Sequence, residues 1–237
     1  MIQARPTEIV YPESDGKPMG ETDVHRMWMI RIYDLLTHRY HDQNVYVGSD
    51  LLLYYEEGDP RKYLVPDNFV VKDCDPGPRR TFKTWEEERV PDVVFEVTSR
   101  WTQREDEVFK PTAYARIGVK ELFLYDPTAD YLDPPLIGHR LQVDGPSLIR
   151  PEAGALDCRE LGLLLRLESN RLVMLDAKSG QRLLTKAESA EAAHERERAG
   201  RERERAAREV AEKRAQAAEA EVERLRQELA RRKRPKN

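Results

Sequence analysis

The sequence predicts an α/β protein, a mixed central β-sheet flanked by helices, followed by a long C-terminal helix or coiled coil. Three observations carry that prediction. Residues 91–127 read as strand, helix, strand, the pattern of a parallel crossover. Strand-like runs joined by tight turns flank that unit, so antiparallel pairs must share the sheet. From Lys186 the composition turns abruptly to Ala, Glu and Arg, with no proline before Pro235, as in a long helix.

In chain order, Glu8 to Tyr11 reads as a short strand and a Pro/Gly/Ser/Asp loop follows to Gly20. From Glu21 to about His41, Met27, Ile30, Leu35 and their neighbours recur at helical spacing, with Thr22 or Asp23 as N-cap. His25 lies in the first turn of that helix. Asn44 to Glu57 and Tyr63 to Lys72 are two β-forming stretches separated by the turn sequence EEGDPRK, so they are expected to pair antiparallel. Asp67 follows Pro66 and stands at a strand entrance or bulge. Residues 73–90 form a polar loop whose Arg79, Arg80, Lys83 and Arg89 are candidates for phosphate contact.

The run Asp92 to Val97 has the length of one buried strand. Alternation with period 2 puts Asp92, Val94, Glu96 and Thr98 on one face and Val93, Phe95 and Val97 on the other. Two carboxylates on one face of a buried strand are costly unless a positive charge compensates them. A metal ion would do so. The helix beginning near Thr102 or Gln103 carries Lys110 back over this strand, and Pro111 is expected to kink it or to open a second helical piece with Lys110 at the junction. Gly118 suits the helix end, and Glu121 to Tyr125 forms the parallel partner strand.

Leu136 to Val143, Leu161 to Leu167 and Arg171 to Asp176 read as short strands, with turns at Asp144-Gly145 and Ser179-Gly180. The expected organisation is a domain over 1–185, including a β-extension at about 136–185, and a charged helical tail over 186–237. Within the tail Ala215, Ala218, Val222, Leu225 and Leu229 follow heptad spacing, while Gly200 and charged residues interrupt the seam upstream. Pairs such as Glu204 with Arg208 are expected along the remainder.

Of 40 basic and 44 acidic residues, the tail holds 16 and 12, which leaves an acidic body of 24 against 32. Nucleic acid therefore cannot be held by bulk charge, and phosphate contact must be local or metal-mediated. Cys74 and Cys158 are far apart with no CxxC pairing, which indicates free thiols in a reducing cytoplasm. No run approaches the apolar length of a membrane span. No strand is followed by a glycine-rich phosphate loop, which argues against a nucleotide-binding α/β protein.

Asp67 on one strand, Glu96 after 28 intervening residues on another, and Lys110 from the next helix form a metal-hydrolase constellation. Two carboxylates suit a hard cation such as Mg²⁺, or Mn²⁺, and the lysine can orient a water and face a phosphate. The segments VPDNFVV, PDVVFEVTS, KPTAYARIGVKELFLYDP and PPLIGHRL resemble the Uma-two restriction-endonuclease family of the PD-(D/E)XK nuclease superfamily. That resemblance implies a restriction-endonuclease-like core and Mg²⁺-dependent phosphodiester hydrolysis, with DNA as the expected substrate. It places Asp67 in the PD element and Glu96 in the ExK element, both as metal ligands. Thr98 stands where the superfamily carries lysine, and Lys110 takes that role. His25 resembles the family's helix-start histidine, and Asp92 is a candidate support for the metal. A homodimer through the tail would bring two active sites together. The competing reading is a non-catalytic assembly protein on a nuclease-like core, acting through its coiled coil.

Overall fold

In the computed structural model, which describes residues 9–14, 22–100, 102–142 and 144–232, the chain divides into two compact units at Lys186–Ala187. The first contains a six-stranded sheet in the order β1 (Val45–Ser49), β4 (Asn68–Lys72), β6 (Val93–Val97), β7 (Glu121–Tyr125), β8 (Leu136–Gln142) and β9 (Gly145–Leu148). Only β6 and β7 run parallel; every other neighbouring pair is antiparallel. The predicted mixed α/β sheet is therefore observed, with the crossover unit at its centre.

The period-2 reading of β6 places its side chains correctly. Val93, Phe95 and Val97 enter one core with Phe123 and Tyr125 of β7 and with Trp28, Ile32, Leu35, Leu36 and Tyr40 of α1 (Asp23–Tyr40). Val94 enters the opposite core with Leu122, Leu124, Phe69, Val71 and Tyr114, the last from α3 (Lys110–Ile117). Helices thus cover both faces of the central strands. Thr22 caps α1 by accepting the His25 N–H at 3.2 Å.

Several expectations are corrected. Met27 and Ile30 do not enter the core: the buried stripe is His25, Trp28, Ile32, Leu35, Leu36 and Tyr40, and Met27 and Ile30 face outward. Each of the two long β-forming stretches is broken in two. At Asp50 (φ 48°) and at Pro66-Asp67 the chain leaves the main sheet, and β2 (Leu53–Tyr54) and β3 (Tyr63–Leu64) join β5 (Phe82–Lys83) in a separate three-stranded sheet. The breaks face each other, since the Asp50 N–H bonds the Pro66 and Asp67 carbonyls at 3.2 and 3.3 Å. Ile9–Pro12 belong to no strand, and Glu8 lies outside the described residues, as does most of the loop to Gly20.

The polar loop after β4 contains β5 and a single helical turn, α2 (Thr84–Glu87). It is tied to carboxylates: Arg79 bonds Glu87 at 2.5 Å and lies over the Tyr46 ring, Arg80 pairs with Glu13, and Lys83 with Glu86. Among the four basic side chains expected to be available for phosphate, only Arg89 has no such carboxylate among the described residues. After β7 the extension splits. Strands β8 and β9 lengthen the main sheet, whereas β10 (Leu156–Cys158), β11 (Leu163–Glu168) and β12 (Arg171–Asp176) form their own sheet, which completes the α1 core through Leu163, Leu165 and Met174.

The second unit is one helix, α4 (Lys186–Arg232), 47 residues long and unbroken at Gly200. Arg208 pairs with Glu212 at 3.1 Å rather than with Glu204. Val222 and Leu225 of the heptad series are exposed, while the Leu229 side chain and the terminal basic run lie outside what is described. Among the described residues no helix is long and apolar enough to cross a membrane.

Candidate active site

The break at Pro66-Asp67 is what makes the site. Pairing of β4 with β6 ends at Asn68↔Phe95, which leaves the next β6 donor without a strand partner. The Asp67 carboxylate takes its place, its Oδ2 accepting the Val97 N–H at 2.7 Å. The same oxygen lies 3.2 Å from His25 Nε2 in the first turn of α1. Asp67 is thereby fixed by a backbone amide and an imidazole.

Glu96 projects from β6 on the α3 side and is 1% exposed. Its Oε1 accepts the Tyr114 hydroxyl at 2.6 Å, and its Oε2 faces the Lys110 ammonium at 2.9 Å. The Asp67 N–H also points at Oε2, from 3.4 Å. Lys110 has a second carboxylate partner, Asp106 Oδ1 at 2.9 Å, four residues earlier on the same helix.

The helix geometry behind this follows from Pro111. Proline has no N–H for the helical ladder and its ring crowds the carbonyl four residues earlier. The chain responds with a π-helical turn over Glu105–Phe109, in which the Lys110 N–H bonds Glu105 O, and Pro111 then occupies the first turn of α3. The expected junction at Lys110 is present, and it turns Asp106, Lys110 and Tyr114 toward Glu96.

Three carboxylates here face one ammonium. Burial, with Asp67 and Asp106 nearby, pushes Glu96 up to about 8 despite Lys110 and Tyr114. Asp106 is raised too, chiefly by burial. Burial alone would lower Lys110, but Glu96, Asp106 and Asp67 outweigh it and hold its ammonium charged. An all-oxygen donor pair, Asp67 and Glu96, in a site short of positive charge has the chemistry a hard divalent cation requires. The pair falls short of a complete ligand set: among the described residues no group of three or more acidic, histidine or cysteine side chains is arranged to hold an ion.

The structure therefore brings Asp67, Glu96, Lys110 and His25 together. It does not bring Asp92. That carboxylate sits on the same face of the strand but at its other end, where Lys120 Nζ lies 2.7 Å away and the Lys72 N–H 2.8 Å away, in a cluster with Glu160. Asp92, expected as a support for the metal, is instead tied to Lys72 and Lys120, away from the cluster at Glu96. Asp106 and Tyr114 were not singled out in the sequence. The available signal was the spacing 106, 110, 114, which is one side of a helix. Thr98, at the superfamily's lysine position, is 2% exposed and its hydroxyl has no hydrogen-bond partner among the described residues.

No curated protein matches the chain significantly. Among solved structures, that of a protein from Anabaena variabilis ATCC 29413, described as a putative nuclease belonging to DUF820, aligns over 62% of this chain and 80% of its own. Its identity is 14% and the TM-score 0.45, a likeness too low to decide the fold, which rests on the sheet order above. A family model described as "Putative restriction endonuclease", Uma2, matches residues 8–142. The matched span contains every residue of the cluster and ends with β8, leaving the β10–β12 sheet and α4 outside. The chain belongs to the Uma2 restriction-endonuclease family.

Proposed function

We propose that this protein is a metal-dependent endonuclease that hydrolyses phosphodiester bonds in DNA, with Asp67 and Glu96 as the ligands of Mg²⁺ or Mn²⁺ and Lys110 as the catalytic lysine. The observation that carries the reading is the meeting of these three side chains from β4, β6 and α3, with the lysine 2.9 Å from Glu96. The family's description supports DNA as the substrate.

When bound, a hard cation supplies Lewis acidity toward the phosphate and lowers the pKa of water beside it. The protein's own groups do the rest. His25 and the Val97 N–H restrain one oxygen of Asp67, which leaves its other oxygen to serve as a ligand. Tyr114 holds one oxygen of Glu96. Asp106 keeps Lys110 charged and aimed, so that its ammonium can face the scissile phosphate or orient the attacking water. A lysine carried by a helix beside the strand can perform this role as well as one on the strand, because what matters is where the charge stands.

The test is cleavage of plasmid, single-stranded DNA and RNA with Mg²⁺ or Mn²⁺, comparing wild type with Glu96→Gln and Lys110→Ala. Metal-dependent cleavage of DNA lost in both variants is the expected result. Wild-type protein that cuts no substrate with either metal would refute the proposal. The homodimer is part of it: Val222 and Leu225, exposed on α4 at heptad spacing, would pair with those of a second copy and link two active sites.

A further inference from the structure

Glu96 offers a metal ion one oxygen in particular, and Lys110 stands on it. The Tyr114 hydroxyl holds Oε1 at 2.6 Å, whereas Oε2 lies beside Asp67, whose N–H points at it from 3.4 Å. A cation shared by Asp67 and Glu96 is therefore best served by Oε2, and the Lys110 ammonium is already 2.9 Å from that atom. A divalent ion and an ammonium on one buried oxygen repel each other strongly, because little water screens them. Lys110 has a second place to go. Its ammonium is also 2.9 Å from Asp106 Oδ1, on a buried carboxylate.

We propose that Asp106 is a positioning residue for the metal-dependent reaction: it takes the Lys110 ammonium off Glu96 Oε2 when a divalent cation is bound. The lysine then stays charged within reach of the phosphate without occupying a ligand oxygen. The inference rests on Asp67 and Glu96 being the ligands. Asp106 stands four residues before Lys110 on the same helical segment, so the transfer needs only rotation within a flexible four-carbon stem and no shift of helix against sheet. Among the described residues no other basic side chain pairs with Asp106, so its carboxylate is reserved for Lys110. Charge points the same way. One ammonium and one divalent cation balance three ionised carboxylates in full, whereas without Asp106 the same cations would leave a buried positive excess, which is costly.

Mn²⁺ binding to the full chain at fixed pH, followed by the paramagnetic signal of the free ion, tests this in wild type, Asp106→Asn, Lys110→Met and the double variant. Lys110→Met keeps an unbranched apolar stem and removes the charge. Asp106→Asn should raise the Mn²⁺ Kd about fivefold, within the usual coupling between contacting residues. Lys110→Met should bind at least as tightly as wild type. In that background Asp106→Asn should cost less than about twofold, because no ammonium then competes for Oε2. Equal losses in both backgrounds would mean that Asp106 acts on the ion itself, as a charge or a ligand, and would overturn the inference; so would no loss in wild type. A crystal structure of wild type with Mg²⁺ gives a second test that needs no variant to fold. Lys110 Nζ should lie within hydrogen-bond distance of Asp106 and beyond it from Glu96 Oε2, and an ammonium still on Oε2 beside the bound ion would overturn the proposal. Wild type that binds neither ion would remove the ligand assignment and this inference together, whereas equal Asp106→Asn losses in a chain that still cleaves DNA would remove this inference alone.

Discussion

Glu96 concentrates the chemistry of this site because it is a carboxylate fully out of water with one cation shared among three acids. Replacing it with glutamine keeps the shape and the Tyr114 contact but removes the charge. Glu96→Gln is expected to lower DNA cleavage by about 100-fold or more, with Mn²⁺ binding, followed by its paramagnetic signal, weakened in parallel. Lys110→Ala should lose a similar factor in cleavage while retaining more of the ion binding, since it removes the charge aimed at phosphate and not a ligand. The raised Glu96 pKa has a definite sign in stability. An unfolded glutamate titrates near 4.5 and the folded one near 8, so between these values the folded state binds more protons. Stability is then greatest at the acid end of the window and falls as pH rises through it. Melting temperature measured with chelator from pH 5 to 8 should decline in wild type and stay flatter in Glu96→Gln.

At the scale of elements, the site depends on two interruptions, the break before β4 and the π turn before α3. Both occur at proline, and they bring Asp67 and Lys110 to the Glu96 carboxylate. The surrounding sheet leaves little room for adjustment. A Cβ built on Gly48 of β1 would fall 2.3 Å from the ring of Phe69 on the adjacent strand. Phe69 is fully buried against Tyr46 and Phe82 and cannot yield. Gly48→Ala should therefore cost about 1–3 kcal/mol, read as a lowered denaturation midpoint. Gly118 differs. Its φ of +95° closes α3, and an added Cβ would meet only Val90 at 3.5 Å. Gly118→Ala should cost about 1–2 kcal/mol through the backbone alone.

For the whole molecule, every residue of the cluster precedes Lys186, so a chain ending there should keep its metal-dependent cleavage and the melting transition of the α/β unit. Its self-association should fall, as sedimentation would show. A truncated chain with the same oligomeric mass as the full chain would rule out pairing through α4.

Local pattern was sufficient to read the central strand, its two faces, the helix that carries Lys110, and the long tail, because side-chain period and composition are properties of a few neighbouring residues. The set Asp67, Glu96 and Lys110 came from more than local pattern: the spacing between Asp67 and Glu96, a lysine on the following helix, and the resemblance to the Uma-two family. What only the tertiary structure decided depended on partners distant in the chain. Asp92 and Glu96 look equivalent on their strand, yet Lys72 and Lys120 claim one and Lys110 and Tyr114 the other. Met27 and Ile30 look like core, but the sheet beneath α1 accepts one stripe only, and that stripe is centred on Trp28 and Ile32. Asp106 stands at ordinary i,i+4 spacing from Lys110, but that the pair meets Glu96 depends on how this helix packs on the central strand.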